Sequence, residues 1–213
     1  MKLTKRELFN GCLVASIAHA IMTNVYPLLS YEQSWDGINY SIHDSEGTRG
    51  TITFDNSFCV GAIRNDKSPF VVSGTAITSY MIGFPPFVIQ KAYDEALQYL
   101  LLESDDSILP CVSSVFWADD DSIYCANQCR ESFKSDFELF RRVVLPREKA
   151  IDAWIEYYDM NSGAIALFRE IIDAKESNSQ AVIVLNNRQK RMIPGDYLTQ
   201  ECIESFRELQ IIV

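Results

Sequence analysis

The chain has 213 residues, of which 19 are basic and 29 acidic, giving a net charge of −10, with 47 % apolar and 12 % aromatic residues. That apolar content excludes a disordered tail, a collagen-like fibre and a disulfide-stapled miniprotein. The acid excess argues against a nucleic-acid binder, because affinity for phosphate depends on clustered Lys and Arg.

The N-terminus carries the outline of a secretory signal. Lys2, Lys5 and Arg6 precede the apolar stretch Gly11–Ile17, and Ala18-His19-Ala20 mimics a small-x-small cleavage site. Glu7 and Asn10 interrupt the basic region and Ser16 breaks the apolar one, so the expectation is a cytoplasmic protein that keeps this segment. No apolar run approaches the roughly 20 residues that span a bilayer, so no membrane partner is expected. The six cysteines, Cys12, Cys59, Cys111, Cys125, Cys129 and Cys202, lack the setting of a small secreted framework and are expected as reduced thiols. With only His19 and His43 as histidines, neither a metal nor a cofactor is expected.

Thr4-Lys5-Arg6-Glu7 reads as a capping box at the start of a helix running from about Lys5 to Thr23. Its apolar stripe (Leu8, Cys12, Ala15, Ile17, Ile21) faces a core, and His19 on it reads as a structural histidine. An antiparallel meander follows over about 38–73. Pairing Ile38 with Phe54, Tyr40 with Ile52 and Ile42 with Gly50 gathers apolar side chains on one face. The same register sets Asn39 against Thr53, Ser41 against Thr51 and His43 against Arg49 on the other, which is expected to be wet. The turn Asp55-Asn56-Ser57 is expected to place Phe58 opposite Phe54. Phe70-Val71-Val72 reads as a further extended piece.

Pro85-Pro86 opens a central helix whose stripe, Ile89 through Leu101, is expected to continue to Ser104. Two strands, about 111–117 and 122–126, form a hairpin across Ala118-Asp119-Asp120-Asp121. A helix-rich C-terminal half is expected to pack on the sheet, with helices over about 132–140, from Pro146, over 164–174 and over 196–209. Within it, Ala181–Leu185 is expected as a strand buried on both faces. The overall expectation is an α+β chain forming a single domain over residues 1–213, with a possible sub-boundary near Arg130.

Nucleotide-binding loops, a dinucleotide fingerprint, a zinc-protease helix and a hydrolase nucleophile elbow are all absent from the sequence. Two function classes remain. One is a small cofactor-independent enzyme, a hydrolase for instance, using the polar sheet face around His43. There Asp44 adjoins His43, and Cys59 is expected on the same face as a thiol nucleophile.

The other is an interaction or inhibitory module, and charge distribution favours it. Residues 65–127 carry −7 of the −10. Glu103, Asp105 and Asp106 are expected at the C-terminal end of the central helix, where the helix dipole makes carboxylates unfavourable. Asp119, Asp120 and Asp121 occupy the hairpin tip, with Trp117 and Tyr124 as aromatic anchors beside it. Such a surface suits a basic partner protein, as a toxin-neutralising immunity protein would by analogy. Oligomeric state has no signal in the sequence.

Overall fold

A computed structural model describes residues 2–72, 76–104 and 107–213. The fold is α+β, and the chain divides into two compact units, Met1–Leu8 with Ile38–Arg141 and Phe9–Gly37 with Arg142–Val213. The chain opens with α1 (Lys5–Met22), β1 (Gln33–Asp36), β2 (Asn39–His43), β3 (Arg49–Phe54) and β4 (Cys59–Arg64). A helical turn α2 (Pro69–Val72), α3 (Pro86–Asp94) and two hairpins follow, β5 (Leu101–Ser104) with β6 (Ser107–Pro110) and β7 (Ser114–Ala118) with β8 (Ile123–Cys125). The remainder holds α4 (Arg130–Asp136), α5 (Arg147–Tyr158), α6 (Ser162–Ser177), β9 (Ile183–Val184), α7 (Asn187–Lys190), α8 (Gln200–Glu208) and β10 (Ile211–Ile212).

The sheet of the first unit is antiparallel, its strands in the order β2-β3-β4-β7-β8. The β2–β3 register is the one the alternation dictates, with Tyr40 opposite Ile52, Ser41 opposite Thr51 and His43 opposite Arg49. The next turn is one residue longer than expected. The Asp55 amide donates to the Phe58 carbonyl at 2.8 Å, so Phe54 faces Cys59 rather than Phe58.

Over the central strands β3 and β4 neither face of this sheet is wet, which corrects the expectation of a meander with one solvated side. On the face of Val60, Ala62 and Val115, α3 and a 3-10 turn (Ala96–Leu100) supply Val88, Ala92, Ala96, Leu97 and Leu100 to one core. Thr51 and Thr53 on that face are fully buried. On the other face Phe116 packs edge-on or tilted against Phe133, Phe137 and Phe140. The Phe116 ring lies over Gly61, where a Cβ would stand 2.2 Å from a ring carbon. Burying both faces of β3 and β4 removes far more apolar surface from water than a one-sided sheet.

Two further expectations are overturned in this unit. The 69–72 segment is a helical turn rather than extended, since Pro69 suits a first helical position. The central helix stops at Asp94 because Glu95 leaves helical space at φ −130°, ψ −81°. The chain then tightens into the 3-10 turn and enters β5, so Glu103 sits on a strand and not at a helix end. No helix dipole acts on it.

In the second unit Asn24 ties three segments together. Its amide donates to the Pro194 and Tyr197 carbonyls at 2.7 and 2.9 Å, and its carbonyl accepts from the Thr199 amide at 2.8 Å. Thr199 in turn caps α8, accepting from the Cys202 amide. Ala181–Leu185 does not form a strand buried on both faces. Only Ile183–Val184 is extended, pairing in parallel with Ile211–Ile212, and Val182 and Val184 are exposed. Asn161 caps α6, its side chain accepting from the Ala164 amide at 2.9 Å. Asn161→Ala is expected to lose about 1 kcal/mol of stability, read as a lower urea midpoint with unchanged slope.

Candidate functional site

The β7–β8 tip is built around one carboxylate. Asp119 Oδ1 accepts from the amides of Asp121 and Ser122, both at 2.9 Å, while its carbonyl accepts from the Lys5 amide at 2.7 Å. Partial burial works against this carboxylate. The Ser122 and Asp121 amides and the Tyr124 hydroxyl outweigh it, holding the pKa below the usual range. Asp119 is therefore spent on the turn, whereas Asp120 and Asp121 project as exposed residues.

Trp117 and Tyr124 are cross-strand partners and stack at 4.4 Å with planes 16° apart. Phe84 meets the Trp117 ring edge-on at 6.5 Å, so the pair rests on the core while Tyr124 stays exposed. The structure thus brings Trp117, Asp119, Asp120, Asp121 and Tyr124 to one hairpin end. Asp105 and Asp106, the remaining members of the expected acidic surface, lie outside the described residues. Nearby acids do not all add to this charge: Asp55 on the β3–β4 turn is paired with Lys91 at 3.2 Å.

The His43 group separates. Cross-strand partners share a face, so His43, Arg49, Thr51 and Val60 lie on one side and Phe54, Cys59 and Gly61 on the other. Cys59 is fully buried on the side opposite His43, and burial pushes its thiol up to about 12, the reverse of what a nucleophile needs. The extra residue in the 55–58 turn is what moves it across the sheet. Asp44 Oδ1 accepts from the Glu46 and Thr48 amides at 2.9 and 2.8 Å, closing the β2–β3 turn. Partial burial and the neighbouring Arg49 lower the His43 pKa, against the pull of Asp44.

Sequence reasoning missed a third locality, in the second unit. Phe9, Leu13, Trp35, Lys175, Ser179, Glu208 and Gln210 are among the residues lining an open cleft. Lys175 carried a helical-face signal only, and nothing in its sequence context announced its burial. Among the described residues no three His, Cys, Asp or Glu side chains converge as a metal centre requires. Among them, too, no helix is long and apolar enough to cross a membrane. No family model, curated protein or solved structure matches this chain.

Proposed function

We propose that this protein is an interaction module that binds a basic partner protein through the acidic, aromatic tip of the β7–β8 hairpin. One observation carries the reading. Asp120 and Asp121 stand exposed and in no ion pair among the described residues, on a turn pinned by the neighbouring Asp119. Pinning matters because a preorganised tip loses little conformational freedom on docking. The adjacent Trp117–Tyr124 stack supplies an aromatic surface with Tyr124 exposed, the composition that binding hot spots favour. Two unneutralised carboxylates would steer a basic partner and set the salt dependence of its association. The separation of Cys59 from His43 takes away the nucleophile–base pair on which the hydrolase reading rested.

The test compares the protein with the variant D120K/D121K, each used to capture proteins from a lysate of the encoding organism. The wild type is expected to retain strongly basic proteins at low salt. It should release them near 1 M salt, where the screening length falls to about 3 Å. The doubly reversed variant should retain at least about tenfold less. Tyr124→Ala should weaken capture without altering its salt dependence. Equal capture by wild type and the reversed variant would overturn the reading.

A further inference from the structure

Lys175 lies on α6 with its side chain withdrawn from solvent, the residue being 1 % exposed. Its ammonium donates to the Ala181 carbonyl at 2.7 Å and the Ser179 carbonyl at 3.3 Å. Among the described residues it has no carboxylate partner. An ammonium has three N–H donors and a full charge, so the two carbonyls account for two donors, and the charge is met by carbonyl dipoles and the C-terminal end of α6 rather than by an anion. Burial lowers its pKa, as expected where no anion offsets desolvation. Buried charges are ordinarily paired, and this one lines an open cleft instead.

The opposite chemical character is present in the same cleft. Glu208, at the end of α8, accepts from the Trp35 amide at 2.8 Å through Oε2. Its pKa is raised, first by partial desolvation and then by Glu204 and Asp36 nearby. A cationic guest would relieve that repulsion. Lys175 and Glu208 line one cleft yet form no ion pair with each other.

The wall beside these groups is apolar and fixed. The Trp35 indole Nε1 donates to Ser16 Oγ at 2.7 Å, and Ser16 Oγ donates onward to the Cys12 carbonyl at 2.8 Å. Phe9 meets the Trp35 ring edge-on at 5.9 Å, and Leu13 lines the same wall. The cleft thus sets charged and polar groups opposite rings held by their own partners, and such fixed polar and aromatic groups are what orient a small molecule in a site.

We propose that this cleft binds a small zwitterion with an apolar body, of the free apolar amino acid class. Its carboxylate would take the third Lys175 donor, its ammonium would face Glu208, and its side chain would lie against Phe9, Leu13 and Trp35. The site is independent of the acidic hairpin tip, so failure of either proposal leaves the other standing.

Calorimetric titration of the full chain tests it with L-leucine, L-phenylalanine and L-tryptophan. For the best binder the analogues lacking the amino group and lacking the carboxylate are then compared, 3-phenylpropionate and 2-phenylethylamine in the case of phenylalanine. At least one amino acid should bind saturably, and each analogue should bind at least about tenfold more weakly. Glu208→Gln should weaken the amino acid by about tenfold and leave the des-amino analogue unchanged. Lys175→Met should abolish binding of both, and Lys175→Arg should restore part of it. Should Lys175→Met fail to fold, the analogue series and Glu208→Gln decide the matter on folded protein. Absence of saturable binding by all three amino acids would overturn the proposal. So would an analogue binding as tightly as its parent, or affinity indifferent to Glu208→Gln.

Discussion

Gly11→Ala is expected to destabilise the protein by about 3 kcal/mol, although Ala for Gly in a helix interior ordinarily stabilises by about 1 kcal/mol. Gly11 lies in α1, and a Cβ built there would stand 1.9 Å from the Val143 carbonyl oxygen and 2.8 Å from its carbon. Those are backbone atoms, and relief requires one segment to back away from the other. The Val143 side chain is a lesser obstacle, its Cγ1 standing 3.0 Å away. Two comparisons isolate the cause. Asn10→Ala, on the adjacent exposed position, is expected to gain a few tenths of a kcal/mol from propensity alone. The double variant G11A/V143A should stay as unstable as a sum of its parts predicts, because truncating the Val143 side chain leaves its carbonyl in place. Urea unfolding measures all of these; a midpoint for Gly11→Ala at or above that of the wild type would show that the two segments can part at little cost.

How far such a contact could be anticipated differs between local and distant features. The capping box at Thr4 and Glu7 was legible because its parts are three residues apart. Thr4 Oγ1 accepts from the Glu7 amide at 3.2 Å, and the Glu7 carboxylate accepts from the Thr4 amide at 2.8 Å. The β2–β3 register was legible because a slip of one residue would invert every side chain. The covering of the polar sheet face was not. Asn39 and Thr53 carry a solvent-facing pattern, yet Thr53 Oγ1 donates to Asn39 Oδ1 at 2.6 Å, and Asn39 Nδ2 donates to Glu95 at 3.0 Å. Polar groups satisfied by one another can be buried, and a partner 56 positions away has no local signature. The acidic tip was legible as a run of three aspartates, but not the division of labour within it. Which carboxylate closes the turn and which two face outward depends on backbone geometry. The Lys175 cleft left no trace in the pattern, since it joins residues from both ends of the chain.

The second large effect concerns acid. His19 is 2 % exposed on α1, with Nε2 3.3 Å from the Ser30 carbonyl and Nδ1 2.9 Å from the Tyr158 hydroxyl. A carbonyl only accepts, so Nε2 carries the proton, and in the neutral ring Nδ1 then accepts from Tyr158. Burial lowers the His19 pKa to about 4, against a smaller opposing pull from the Ser30 carbonyl, while burial raises that of Tyr158 and keeps its hydroxyl a donor. Protonating His19 would set a second donor against that hydroxyl and place an uncompensated charge in the core. Because the folded pKa lies below the unfolded value near 6.5, the unfolded chain binds the proton more readily as pH falls. The stabilisation is therefore complete above about pH 6.5 and is lost progressively as pH falls toward 4, by about 2 kcal/mol between pH 7.5 and pH 5. His19→Gln is expected to remove that dependence while costing some stability at pH 7.5 through weaker hydrogen bonding. Glu208, whose raised pKa gives a dependence of opposite sign, is common to both proteins and cancels in the comparison. Urea midpoints at the two pH values decide it: equal acid sensitivity in wild type and His19→Gln would mean that the imidazole reaches its proton in the folded state at no cost.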